Sequence, residues 1–168
     1  MTEASNKVEW CLRKAEKELQ ERQKHRGLVK TAPNIEEARK HIEKAEHNLR
    51  AISYFNKGGF SDWSMSAGFY CIYHCFLAIG CKFGYESRNQ ECTIALMRTL
   101  KEDGTINIDN KFIEALEESN ESERQESSVI EKREFYTYGT SQSAENLKNS
   151  GLKPRGSLEF FRPRKSIC

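Results

Sequence analysis

Proline is rare in this chain of 168 residues. It occurs only at Pro33, Pro154 and Pro163, so the stretch 34–153 contains no residue that interrupts a helix by removing a backbone donor. Glu, Lys, Ala and Leu, which favour the helical conformation, are abundant in that stretch. The sequence therefore predicts an all-α protein.

Motifs that would identify several enzyme classes are also absent. The chain has no glycine-rich phosphate loop, no HExxH, no GxSxG and no CxxC pair. These absences argue against a P-loop nucleotidase, a zincin protease, a GxSxG hydrolase, a zinc ribbon and a thioredoxin-like redox site. We expect neither a metal ion nor a cofactor.

The N-terminus lacks the features of an export signal. It is highly charged and amphipathic, and no basic segment followed by an apolar one occurs there. We therefore expect a cytoplasmic protein. Because thiols stay reduced in that compartment, the six cysteines are expected to be free.

The net charge of +2 is too small to indicate a nucleic-acid partner by itself, but the charges are unevenly distributed. Six glutamates and one arginine lie between Glu114 and Glu126, whereas six Lys or Arg and one Glu follow from Lys148 onward. The segment 151–168, which contains glycine and proline, is expected to be a mobile basic tail. Such a tail can contact phosphate, although most are simply solvated.

Apolar residues spaced by three and four predict five helices, at about 5–25, 34–57, 61–83, 89–101 and 109–119. Asn34 and Ser61 are the predicted N-caps of the second and third. The segments Arg26 to Pro33 and Tyr85 to Cys92 are predicted connections. We divide the chain into an N-terminal amphipathic helix with its connection (1–32), a helical bundle (33–150) and the tail (151–168).

The third predicted helix is unusual because apolar side chains occur nearly all round it. Met65 to Cys81 is a run of 17 residues without a formal charge, which is at the lower limit for a membrane span. The run also carries Tyr70, Tyr73 and His74. We therefore favour a buried central helix over a membrane span, and expect no membrane partner.

Cys71, His74 and Cys75 are spaced so that they share one side of this helix. They could hold a soft metal ion, but zinc needs four ligands and cysteine is often simply buried. Apolar burial raises the pKa of a thiol, which argues against a thiol protease. His74 is either a hydrogen-bonded core histidine or an imidazole that opens onto a cleft, so we keep it as a tentative catalytic residue.

The connection before the fourth helix is polar. Ser87 with Gln90, or Asn89 alone, can cap that helix, and capping is the simplest interpretation. Alternatively, Arg88 and Asn89 present a polar loop to a nucleotide or a partner. Both are therefore kept as tentative ligand-binding residues.

Three segments resemble one family. They are KAEHNLRAISYF from Lys44, GFSDWSMSAGFYCIYHCFLAIGCKFGYESRNQECTIAL from Gly59, and REFYTYG from Arg133. With their A-x-x-N-L and F-Y-x-x-Y-H patterns, they resemble the HEPN family (higher eukaryotes and prokaryotes nucleotide-binding) over about residues 45–140. The resemblance implies an up-and-down antiparallel bundle of four to five core helices, to which this chain adds the N-terminal helix. It also implies a homodimer.

Many members of that family are metal-independent ribonucleases of toxin–antitoxin or defence systems. Others bind RNA, nucleotides or a partner, commonly a nucleotidyltransferase. Active members carry Arg, then four to six arbitrary residues, then His, near the start of the last helix. Arg133 matches that arginine, but Tyr138 stands where the histidine is expected. A phenol with a pKa of about 10 is a poor base at pH 7, although it can donate a hydrogen bond to phosphate.

These features together suggest a module that binds RNA, a nucleotide or a protein partner. One alternative is a metal-independent endoribonuclease toxin that uses Arg133 with Tyr138 or His74. Another is a non-catalytic structural subunit that only holds a partner.

Overall fold

The computed structural model describes residues 2–117, which form a helical bundle with one small sheet. In chain order the elements are α1 (Glu3–Arg22), β1 (Leu28–Lys30), α2 (Ile35–Lys57), α3 (Ser61–Lys82), β2 (Tyr85–Ser87), α4 (Gln90–Glu102) and α5 (Asn110–Glu114). The predicted all-α class and helical bundle are confirmed. Arg133, Tyr138 and the basic tail lie outside the described residues.

Helix α1 carries its buried residues on one face. The Thr2 side chain caps it by accepting a hydrogen bond from the Ser5 N–H. The helix ends at Arg22, before the predicted end, because Gln23 turns to φ 54° and its N–H bonds the Leu19 carbonyl. The buried face packs against α4 and β1 and consists of Ala4, Val8, Cys11 and Ala15. Helix α1 therefore shares the main core.

Helices α2 and α3 form an antiparallel hairpin. Asn34 caps α2 as predicted, because its side chain accepts from the Glu37 N–H at 2.9 Å. Contacts between the two helices join Asn34 to Cys81, His41 to His74 and Ile52 to Ser64. As the first number of each pair rises the second falls, so the two helices run in opposite directions from the Gly58–Gly59 turn.

The ends of the later helices differ in detail from those predicted. Phe60, not Ser61, is the N-cap of α3 and makes no side-chain capping bond. Asn89 caps α4 and accepts from the Cys92 N–H at 3.0 Å, which is one of the two predicted arrangements. Helix α5 ends at Glu114, earlier than predicted, because the chain continues in tighter i→i+3 turns that bury Leu116 in the core.

The two segments predicted as connections pair as the antiparallel strands β1 and β2, with Val29 opposite Glu86. The Thr31 N–H extends the ladder by bonding the Gly84 carbonyl. Gly84 has φ +77°, and a Cβ there would lie 2.6 Å from the Thr31 carbonyl oxygen, so the site requires glycine. Strands of three residues carry no periodic signal, which is why sequence patterns did not predict them.

Helix α3 is the centre of the bundle, as predicted. Phe69, Ile72 and Phe76 of α3 belong to one buried cluster with Val8 of α1 and Leu96 of α4. By length and composition α3 is long and apolar enough to cross a membrane. However, 61% of its most apolar stretch is buried inside the fold, as in the core helix of a globular domain.

A disulfide joins Cys11 of α1 to Cys92 of α4, with 5.9 Å between their Cα atoms. The prediction of reduced thiols is therefore wrong for this pair. The two residues are 81 positions apart in the chain, and only the packing of α1 on α4 brings them together. Cys71, Cys75 and Cys81 are free and buried.

Candidate functional site

Two histidines from neighbouring helices meet on one side of the α2–α3 hairpin. The Nδ1 atoms of His41 and His74 are 3.0 Å apart, and their ring centroids are 5.2 Å apart. Both side chains are partly exposed. His74 thus combines features of the two predicted alternatives, since it is hydrogen-bonded within the fold and also reaches the surface.

The contact between the rings requires that the two imidazoles be opposite tautomers. Only one proton can lie between the two Nδ1 atoms, so one neutral imidazole donates it and the other accepts it. The donor ring then has a bare Nε2, which accepts a hydrogen bond or takes up a proton. The Nε2 of the acceptor ring carries a proton and donates. The pair therefore offers one acceptor and one donor while it remains uncharged.

The surroundings of the pair favour the neutral rings. Burial lowers the pKa of His41 from its ordinary value, and the Glu37 carboxylate only partly opposes this effect. Burial also lowers the pKa of His74, and the positive charges of His41, when it is protonated, and of Lys44 lower it further. At neutral pH both imidazoles are therefore uncharged, so that the donor ring keeps a bare nitrogen that can accept a proton.

These lowered pKa values predict acid-sensitive stability. As the pH falls through the unfolded-state pKa of about 6.5, the unfolded chain binds more protons at His41 and His74 than the folded chain does. The free energy of unfolding therefore decreases as the pH is lowered. Urea midpoints measured from pH 8 to pH 5 should show this decline. A His41→Gln/His74→Gln variant should show less of it. An unchanged decline in the variant would contradict the assignment of the two lowered pKa values.

Asn48 lies two turns after His41 on the same side of α2, about 10 Å farther along the helix axis. Its Nδ2 atom is buried and has no hydrogen-bond partner within residues 2–117. A buried donor without a partner is costly, by about 1–3 kcal/mol. Asn48 belongs to the A-x-x-N-L pattern. Within the described part of the hairpin, its amide is the buried side-chain donor that lacks a hydrogen-bond partner.

The two cysteines next to His74 face the interior of the hairpin instead. Cys71 and Cys75 pack with Ala45 of α2. A hydrogen bond between the thiols, together with burial, raises the pKa of Cys75, and the same bond lowers the pKa of Cys71. No group of three or more His, Cys, Asp or Glu placed to hold a metal occurs between residues 2 and 117. These thiols act as core residues.

Arg88 and Asn89 follow the C-terminal end of α3 and the strand β2. The Arg88 Nε donates to the Glu86 carboxylate at 2.8 Å, and the Asn89 side chain is the cap of α4. Glu86 also lies 3.4 Å from Nε2 of the buried His25. Both predicted ligand-binding residues thus have partners inside the fold, and a role in binding stays a prediction.

His41 is the site residue that sequence patterns did not identify. It lies on the helical face of Ala38, Ala45 and Ile52, which the spacing predicted to be the packed side of α2. The available sequence signal was a histidine on a helical face that is otherwise apolar. Arg133 and Tyr138 lie outside the described residues, so their distance from this pair stays open.

Most of the hairpin, with its two histidines, lies within a segment that matches a known protein family. The family model for the HEPN domain matches residues 38–150, more than half of the chain. The chain belongs to the HEPN domain family. The match begins in α2 and includes both His41 and His74, whereas all of α1, with Cys11, precedes it. Neither the curated proteins nor the solved structures searched contain a match.

Proposed function

We propose that this HEPN domain binds RNA or a nucleotide, and that the His41–His74 pair contacts the bound molecule. HEPN membership is consistent with a nucleotide-binding, RNA-binding or ribonuclease-like module. The observation that carries the proposal is the 3.0 Å contact between the two Nδ1 atoms. It leaves one Nε2 donor and one Nε2 acceptor on a partly exposed surface, which suits the edge of a nucleobase or a ribose hydroxyl.

Binding measurements on the full-length protein test this proposal. Labelled single-stranded RNA and labelled ATP should bind, and His41→Ala and His74→Ala should each weaken binding by about 2- to 13-fold, the worth of one hydrogen bond. Gln20→Ala is the matched control, because Gln20 is an exposed polar residue of α1, outside the hairpin. Equal losses in all three variants, or no binding by the wild type, would contradict the proposal.

A metal-independent endoribonuclease is the second candidate, favoured by the same pair. A neutral imidazole with a bare Nε2 can remove the proton of a 2′-hydroxyl group, and Arg133 with Tyr138 would hold the phosphate. RNA incubated with the protein in EDTA distinguishes the two candidates. Cleavage that is lost in both Arg133→Ala and His74→Ala would establish the enzyme, whereas RNA retention without cleavage supports the binding module.

We also propose the setting in which this module acts. It is a cytoplasmic homodimer of a toxin–antitoxin or defence system, and its protein partner is of the nucleotidyltransferase type. A purely structural subunit is the alternative. Light scattering during size-exclusion chromatography checks the dimer, and co-purification checks the partner. A monomer that retains a partner but no RNA would favour the structural subunit.

A further inference from the structure

The free end of the α2–α3 hairpin exposes three large aromatic side chains within ten residues. Tyr54 is 75% exposed, Phe60 57% and Trp63 53%. They lie on either side of the Gly58–Gly59 turn, where the Phe60 N–H bonds the Phe55 carbonyl and the Trp63 N–H bonds the Phe60 carbonyl. Single exposed aromatics are ordinary, but a group of three on one tight turn indicates a surface that binds something.

Exposed cations lie among these aromatics. Arg50, Tyr54 and Lys57 are spaced by four and three residues, so they share one outward face of α2. Neither Arg50 nor Lys57 forms an ion pair within the described part of the chain. Asp62, which is partly buried, is the single acidic residue between positions 50 and 63. The hairpin end is therefore both aromatic and basic.

From this surface we infer that the hairpin end, formed by Arg50, Tyr54, Lys57, Phe60 and Trp63, is a binding site for single-stranded RNA. Bases stack on the exposed rings, and the two cations contact phosphates. The inference rests on the proposed function, because it gives that function a particular ligand and a second contact surface. It needs no sequence preference, since every base has a face that can stack.

The charge pattern favours RNA over a protein partner. The centres of protein–protein interfaces are depleted of lysine, whereas Lys57 of this surface is exposed and lies between Tyr54 and Phe60 in the chain. The turn also leaves room for a strand to approach, because a Cβ at Gly59 would meet no atom within 4 Å. A single strand, whose bases are unpaired, can use this surface, and a duplex, whose bases are stacked inside, cannot.

The hairpin also connects this end to the histidine pair. Trp63, Tyr70 and His74 are spaced by seven and four residues, which places them on one face of α3. Tyr70 is 45% exposed, so an aromatic ring lies between the hairpin end and His74. The distance from Trp63 to His74 along the axis is about 16 Å, a length that a few nucleotides of one strand can span.

A binding experiment with matched variants tests the inference. Fluorescence anisotropy of the full-length protein is measured with a labelled 12-nucleotide oligouridylate and with a labelled RNA duplex of equal length. Tyr54→Ala, Phe60→Ala and Trp63→Ala should each weaken single-strand binding by about 5- to 150-fold. Because these side chains are exposed, all three variants should keep the wild-type melting temperature.

Trp10→Ala is the matched control. Trp10 is also exposed, at 47%, but Lys7 and Lys14 already lie over its ring at 4.8 and 5.1 Å from the centroid. Its ring is therefore engaged, and the substitution should leave RNA binding unchanged. In Arg50→Gln/Lys57→Gln the negative slope of log K against log salt should become shallower by about 1.4, because each phosphate contact on a single strand contributes about −0.7 to it.

The outcomes separate this inference from the proposed function. If the aromatic variants bind like the wild type while His41→Ala and His74→Ala lose affinity, the hairpin-end site is wrong and the proposed function stands. If the wild type binds no RNA, the inference fails, and ATP binding then decides the proposed function. Self-association that Tyr54→Ala abolishes, without RNA binding, would make the surface a contact between copies and would also overturn the inference.

Discussion

Reducing the disulfide between Cys11 and Cys92 is expected to lower the free energy of unfolding by about 4 kcal/mol. The bond joins residues 81 positions apart, so it removes many conformations from the unfolded chain. Core packing also joins α1 to α4, whereas the exposed Lys7–Glu91 ion pair adds at most about 1 kcal/mol. Urea unfolding with and without dithiothreitol measures the loss.

A double variant provides the control for this experiment. Cys11→Ala/Cys92→Ala should be about as unstable as the reduced wild type and should not respond to dithiothreitol. Unfolding curves of the wild type that coincide in both conditions would show that the disulfide does not form or does not matter. Thiol alkylation followed by mass spectrometry, on protein quenched inside cells, would show which state exists in the proposed cytoplasmic setting.

Replacing Phe76 by alanine is expected to destabilise the protein by about 3–5 kcal/mol. Phe76 is 1% exposed and is among the largest fully buried side chains of α3. It packs in the cluster that α1, α3 and α4 share, so its removal leaves a cavity that the surrounding helices cannot easily close. Thermal unfolding followed by circular dichroism at 222 nm measures the effect.

Tyr70→Ala is the control on the same helix. Tyr70 is a large aromatic residue too, but it is exposed, so its removal should cost less than about 1 kcal/mol. Equal losses for the two variants would contradict the central position of α3. The contrast also separates stability from binding, since Tyr70→Ala keeps the fold and can be tested for its effect on RNA affinity.

The Phe76 and Tyr70 variants test two different sides of α3. Phe69, Ile72 and Phe76 hold the bundle together, whereas His74 and Tyr70 reach the surface on another side. A helix that is apolar nearly all round can still present a narrow polar stripe if its neighbours leave one side partly open. That stripe, and not the buried cysteines next to it, carries the proposed ligand contacts.

Most of the secondary structure could be predicted from the sequence, because helix signals are local. The start of α2 follows from the Asn34 side chain and Pro33, and its end from two successive glycines. The central position of α3 follows from a run of residues without charge. Family membership could also be anticipated, because the A-x-x-N-L and F-Y-x-x-Y-H patterns lie within the matched segment.

The features that only the tertiary structure decided are all pairs of residues distant in the chain. His41 meets His74, Cys11 meets Cys92, and β1 pairs with β2 because the packing of the helices sets their relative height and rotation. No periodicity within one segment contains that information. The sequence by itself determined an all-α HEPN bundle with α3 at its centre. The packing decided that His74 lies against His41, and that two of the cysteines are bonded.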